Sequence, residues 1–520
     1  MDTQTLEIAR AYDEVPYTSR PFPQSHPQRL AALAKLFGLT PPAIENARVL
    51  ELGCAAGGNL IPLAAAFPDA HFAGVDLSAV QIADGQARIA RLGLKNIRLS
   101  HISIADITRG FGTFDYIVCH GVYSWVPAAV RDAILRVTDE NLSADGVAYI
   151  SYNVYPGWRL RSVLRDAMMF HGSGGATPHE KLSLGRDFLN QLGSLTNAGS
   201  PYGQMLRHEA QMMSGLEDYY VTHEYLETNN EPCYVNDFLK KAHVFDLAFL
   251  TEAEVHLTIA ENFGAETGAL LRTLSGNRLD RMEQYIDFLT GRTFRQSLFV
   301  HRHAAQSIQR TLRPQAILGL HLSTRVSPEP EIADGRFVFK DAAGRTLTTQ
   351  SIAVRDCVAR LARLSPLTAT PEALTEHLCH DGAGDPQDAA DVISALFNMV
   401  LAGIADISTV PVVGSATIPD RPVAAHMPRT DARDGRTWTT NPRHETVPLD
   451  LVQRAILPLL DGGNDRAALV DAVHGMVAAG RITFQRDGVT LIEPEHVGVA
   501  IDEHLTQALE HFKRAALIGC

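Results

Sequence analysis

Two short stretches carry the residue types best suited to chemistry: Val49-Leu-Glu-Leu-Gly-Cys-Ala-Ala-Gly-Gly-Asn59 and Gly74-Val-Asp-Leu-Ser78. In the first, an apolar run ends on Glu51 and gives way to a glycine-rich bend built from Gly53, Cys54, Ala55, Gly57 and Asn59. In the second, Asp76 followed by Leu77 closes another apolar run, 25 residues after Glu51. Small residues in such a bend let the backbone approach a ligand closely, and a carboxylate ending the second strand can hold two ribose hydroxyls. The layout therefore predicts a nucleoside cofactor. Read as Gly53-x-Ala55-x-x-Gly58, the bend is a degraded dinucleotide fingerprint, and Asp76 would suit NAD. Read from Glu51, it favours a cofactor with a cationic amino-acid end. A carboxylate at the strand tip attracts such a group and repels the pyrophosphate that a dinucleotide brings to a helix N-terminus.

The elements that must position these residues follow in order. Ile97–Ile102 reads as a third strand, with Asp106 and Ile107 just beyond it; Phe114–His120 reads as a fourth and Gly146–Tyr152 as a fifth. The stripe Val80, Ile82, Ala83, Ala87, Ile89, Ala90 predicts an amphipathic helix between the second and third strands. Two later apolar runs, Val244–Leu250 and Phe294–His301, are the candidates for a sixth and a seventh strand. Between them and the fifth strand lies a helical insertion that opens with a glycine-rich loop at residues 171–178.

At 520 residues the chain is too long for one ordinary domain. The expected divisions are a lead-in over 1–48, a core over 49–170, and a region of insertion and closing strands over 171–302. A winged-helix-like domain at 303–410, a linker at 411–445 and a helical module at 446–520 follow. With 45% apolar and 20% charged residues the composition is that of an ordinary globular chain. No apolar run approaches the roughly 18 residues of a membrane span, and the first residues lack a basic, then apolar, signal segment; the expected location is cytoplasmic. The six cysteines include no C-x-x-C pair, which argues for reduced thiols and no metal site. His377-Leu-Cys379-His380 is the one metal-flavoured cluster and has no partner pair. A net charge of −13 without a basic run speaks against nucleic acid and suits basic substrates.

The motif Glu51-x-Gly53-x-Ala55-x-Gly57 resembles motif I of the class I S-adenosylmethionine (SAM) methyltransferases, with Ala55 in place of the middle glycine. Three further stretches carry the resemblance: Tyr12-Asp-Glu-Val-Pro-Tyr17 with Ser25-His-Pro27, Phe114-Asp-Tyr-Ile-Val-Cys-His-Gly-Val-Tyr-Ser-Trp-Val-Pro127, and Ser151-Tyr-Asn-Val-Tyr-Pro-Gly-Trp158. With His223–Tyr234 and Phe249–Glu254 added, the chain is similar to bacterial methyltransferases that carry a regulatory domain, among them the rickettsial lysine methyltransferases of outer-membrane proteins. The resemblance implies an α/β fold: a Rossmann-like core with a seven-stranded doubly wound sheet, a helical insertion and mostly helical, winged-helix-like C-terminal domains. It implies SAM as cofactor, with Glu51, Asp76 and Asp106 at its amino-acid end, ribose and adenine. It also implies a lysine-bearing protein as acceptor, with a small-molecule or peptide-natural-product acceptor as the alternative; a third reading, a non-catalytic SAM-binding regulator that touches DNA, is disfavoured by the acidic balance. A homodimer is among the assemblies it allows. Tyr12, Tyr17 and His26 form either a lid over the cofactor or an N-terminal arm docked on the core. His120, Tyr123 and Tyr152 are the expected positioning residues of the acceptor pocket, and His120 is also an expected cofactor contact. Trp125 and Trp158 belong either to the pocket wall or to the core.

Overall fold

The computed structural model describes residues 13, 17–330, 335–379, 386–486 and 488–519, without the side chains of residues 377 and 379. Tyr12 and the His377–His380 cluster thus lie outside the described residues or side chains. Seven strands form one sheet: β1 (Arg48–Leu52), β2 (His71–Asp76), β3 (Ile97–His101), β4 (Phe114–Cys119), β5 (Leu142–Asn153), β6 (Leu247–Glu252) and β7 (Phe294–His301). Their order is β3-β2-β1-β4-β5-β7-β6. The first five run parallel, and β7 runs antiparallel to both its neighbours. The central strands are buried on both faces, which is why Val49–Leu52 and Phe114–Cys119 read as near-continuous apolar runs. This is the seven-stranded doubly wound sheet that the motifs imply. Its strand order reverses between β1 and β4, where open α/β sheets bind ligands.

Helices α1 (Pro27–Leu36), α2 (Leu60–Ala66), α3 (Ala79–Leu92) and α4 (Ala128–Asn141) flank the sheet. Ser78 starts α3 by accepting the Gln81 N–H at 3.2 Å, and Gly93 ends it in a left-handed turn. The helical insertion is present as Gly157–Gly172, Pro178–Leu195 and Pro201–Ser214, packed on one another through Leu164, Met168, Leu182, Leu189 and Leu206. Asp218–Val221 then runs into a single π-helical turn, Thr222–Leu226.

Two expected boundaries differ from the structure. The 303–410 segment has its hairpin and helices, but they pack as part of the main body. Leu320, Leu322, Val358 and Leu361 share one apolar cluster with Leu30, Val49 and Tyr149. The 411–445 segment is not a linker: it contains the helix His426–Arg433 and the strand Trp438–Thr440. Ala424 and Ala432 of this segment pack with Val447, Ile456, Leu457 and Leu460 in one C-terminal apolar cluster. Its proline, threonine and arginine content suggests an extended arm, but the polar residues are used in contacts. Arg88 of α3 meets Asp431 at 2.8 Å with both side chains buried, and Thr439 Oγ1 donates to the same carboxylate at 2.8 Å. Among the described residues no helix is long and apolar enough to cross a membrane.

Candidate functional site

A cavity of about 490 Å³ opens at the carboxyl ends of the parallel strands. Glu51, at the tip of β1, is 3% exposed; its Oε1 accepts from Asn59 Nδ2 at 2.9 Å, while Oε2 has no partner among the described residues. Burial pushes this carboxyl up to about 8, against the pull of the Asn59 hydrogen bond and with a further rise from Asp76. A buried carboxyl with one oxygen unmatched is a ready partner for a cationic group.

The bend after β1 holds the cavity floor open. Gly53 has φ +76°, and a Cβ there would lie 2.4 Å from Val122 Cγ2; one on Gly58 would lie 2.2 Å from the Ser19 carbonyl oxygen. Ala55 occupies the left-handed region at φ +47°, where an L side chain is strained. Its N–H donates to Asp76 Oδ2 at 2.8 Å, and the Ser78 N–H donates to Oδ1 at 2.8 Å. These bonds aim the Asp76 carboxylate along the cavity wall; burial raises its pKa, and the backbone donors oppose the rise. The strain yields a prediction. Ala55→Gly removes a penalty of about 1–2 kcal/mol, less the roughly 0.4–1 kcal/mol that glycine's unfolded freedom costs. A rise in thermal midpoint is expected; a fall would mean that the bend is not strained.

Across the cavity, Phe22 stacks on His120 with ring centres 3.7 Å apart, and Phe294 meets the same imidazole edge-on. His120 Nδ1 lies 2.8 Å from the Tyr149 hydroxyl. Burial lowers the imidazole to about 3, so it is neutral at physiological pH. The last wall comes from far along the chain. Tyr220, His223 and Glu224, on and beside the π-helical turn, line the cavity with Arg161. Glu224 is pushed up to about 7 by burial, against the opposing charge of Arg161 at 3.6 Å.

The expected residues divide. Glu51, Gly53, Cys54, Ala55, Asn59, Asp76 and Leu77 line the cavity, as do Tyr17, His120 and Trp125. Gly57 backs the bend against Leu99 and Ile61 without lining it. Asp106 is exposed and Ile107 buried, both outside the lining; Ser103 and Ile104 stand there instead. His26 is not over the cavity: its Nδ1 accepts from the Gln28 N–H at 3.1 Å and caps α1. Tyr123 and Tyr152 are not pocket residues either. Both rings pack on Phe238, and the Tyr152 hydroxyl bonds Ser297 Oγ at 2.9 Å. Trp158 is fully buried against Trp125. Sequence reasoning missed Phe22, Asn153, Arg161, Tyr220 and Glu224 as lining residues. Asn153 lies in the Ser151–Trp158 motif and Glu224 in the regulatory-type motif that starts at His223, the signals that could have found them. Among the described residues, Asp139, Asp246 and His301 bring ligand-type atoms within 4.8 Å of one another, but at the opposite ends of the strands, and Arg302 already pairs with Asp246.

Three family models match the chain: "Methyltransferase domain" over residues 50–148, "Predicted methyltransferase regulatory domain" over 217–301, and "PKMT, C-terminal winged helix domain" over 420–517. The winged-helix match therefore falls on the last hundred residues and not on 303–410. An uncharacterized protein of Rickettsia prowazekii is 34% identical over 99% of this chain and 95% of its own length. A second from the same organism is 44% identical over 45% of this chain and 93% of its own. The solved structure of PKMT2 from Rickettsia typhi in complex with AdoHcy is 29% identical, with a TM-score of 0.86 over 97% of this chain and 100% of that one.

Proposed function

The chain belongs to the bacterial class I SAM-dependent methyltransferases that carry a regulatory domain, and from that premise we propose that its methyl acceptor is the ε-amino group of lysine in a protein substrate. The observation that carries the reading is the composition of the cavity lining around the cofactor bend: aromatic rings from Tyr17, Phe22, Trp125 and Tyr220 together with one largely buried carboxyl, Glu224. An aromatic wall can hold an ammonium by cation–π contact. Desolvation and a nearby carboxylate then allow its proton to leave, which a lysine of ordinary pKa about 10.4 requires before it can attack.

In this reading Glu51 would receive the cofactor's amino group on Oε2, Asp76 and Leu77 the ribose, and Ser103 and Ile104 the base. SAM supplies a methyl group already activated on a sulfonium, so the protein's task is alignment, water exclusion and proton removal. His120 is held neutral and serves as wall and hydrogen-bond partner; Glu224 is the proton acceptor. The strap from Tyr17 to Phe22 covers the bend. Its Ser19 Oγ accepts the Gly58 N–H at 2.7 Å, and its Tyr17 carbonyl accepts from Gln81 at 3.2 Å.

The pH profile tests the assignment. A carboxyl with a pKa near 7 is protonated below that value and becomes a base above it, so kcat should rise through about pH 7. Glu224→Gln should flatten that rise and lower kcat by about 10²-fold, at the low end of general-base effects, with SAM affinity kept. An unchanged profile in the variant would remove Glu224 from the reaction.

A further inference from the structure

The cofactor cavity is backed by a residue from the C-terminal domain. His444 sits at the tip of the hairpin formed by Trp438–Thr440 and Thr446–Pro448. It is 2% exposed, and its backbone is left-handed at φ +61°. The tip is built to hold that conformation: Asn441 Oδ1 accepts the N–H groups of Arg443 and Glu445, at 3.0 and 2.9 Å. Arg443 fastens the tip to the body of the molecule, donating to Ser323 Oγ and Asp406 Oδ2, both at 3.1 Å.

The imidazole Nε2 of His444 lies 2.7 Å from Asn59 Oδ1. The amide orientation is fixed independently, because the Phe22 N–H donates to the same Oδ1 at 2.9 Å. A carbonyl oxygen only accepts, so the proton is on Nε2. Asn59 is 3% exposed and ties three parts of the site together. Its Nδ2 donates to Glu51 Oε1 at 2.9 Å and to Ser25 Oγ at 3.1 Å. Phe22 in turn stacks on His120. The amide of Asn59 thus orients the Glu51 carboxyl and anchors the Phe22 backbone beside it.

We propose that His444 is a positioning residue for the cofactor cavity: by donating to Asn59 Oδ1 it fixes the amide with Nδ2 toward Glu51, and so makes the C-terminal domain part of the SAM site. The inference does not depend on which acceptor is methylated, because its readout is cofactor affinity.

Two substitutions in the full-length enzyme separate positioning from packing. Asparagine tolerates a left-handed backbone, but its side chain is too short to place a donor where Nε2 stands. Glutamine restores a donor there and is strained by the backbone. His444→Asn should weaken SAM binding about tenfold, the cost of one unmade buried hydrogen bond, with the loss falling on the SAM KM and not on kcat. His444→Gln should bind SAM within about threefold of the parent yet melt at a lower temperature than His444→Asn. Calorimetry with SAM and thermal melting read both. If SAM affinity follows melting temperature, with His444→Gln the weaker binder, or if neither variant alters affinity, the positioning role is wrong.

Discussion

Arg295→Met should cost about 3–5 kcal/mol of stability at neutral pH, the range for removing one partner of a buried ion pair. Arg295 is fully buried in β7 and holds three carboxylates: Glu252 Oε1 and Glu283 Oε2, each at 2.9 Å from Nη1, and Asp287 Oδ1, 2.8 Å from Nη2. The acids are not equivalent. Burial alone would raise Glu252, but the arginine charges and the donors Ser297 and Gln296 hold it below the usual range. Burial pushes Glu283 up to about 7 despite Arg295. Without the guanidinium all three folded-state pKa values move up. A carboxyl whose folded pKa exceeds its unfolded value destabilises the fold progressively as pH rises through the unfolded pKa and beyond. The variant's deficit should therefore be larger at pH 8 than at pH 5.5. Thermal melting at the two pH values checks this, and an equal deficit at both would mean that losing the guanidinium does not shift the acids.

Asp76→Ala is expected to weaken SAM binding by about 1.5–3 kcal/mol, the loss of charge-assisted bonds to a ribose. The same substitution frees the N–H groups of Ala55 and Ser78. Asp76→Asn, which keeps an acceptor for one of them, should lose less. Calorimetry measures both, and an affinity for SAM unchanged in the alanine variant would take Asp76 out of the cofactor site.

The cofactor half of the cavity was legible because its parts are local: a strand tip, a bend and a second strand tip lie between Glu51 and Asp76. The wall opposite was not. Tyr152 follows the fifth strand motif and looks like a pocket residue, but side chains alternate along a strand. Tyr149 and Ser151 face the side of His120, bonding its Nδ1 and the Gly121 N–H, while Tyr152 turns to the other face and stacks on Phe238. His26 sits beside a proline and reads equally as a lid residue or as part of an arm docked on the core; the structure uses it to cap α1. Glu224 and His444 reach the site from about 170 and 390 residues after Glu51; the motif around His223 could have flagged the first, and no local pattern announces the second. The domain boundaries were obscure for a related reason. Helices at 352–401 show single apolar stripes, which say that a face is covered but not by what. Their apolar side chains join the cluster that includes the sheet, so a chain cut near residue 302 would leave Leu250, Leu298 and Val300 without part of their surroundings.

Lysine as the acceptor is tested most directly by transfer of label from methyl-labelled SAM into a cell lysate. The full-length enzyme should place label in discrete protein bands, with mass spectrometry locating the added methyl groups on lysine side chains and Glu224→Gln abolishing most of the signal. Label found only in small molecules, or on protein residues other than lysine, would contradict it.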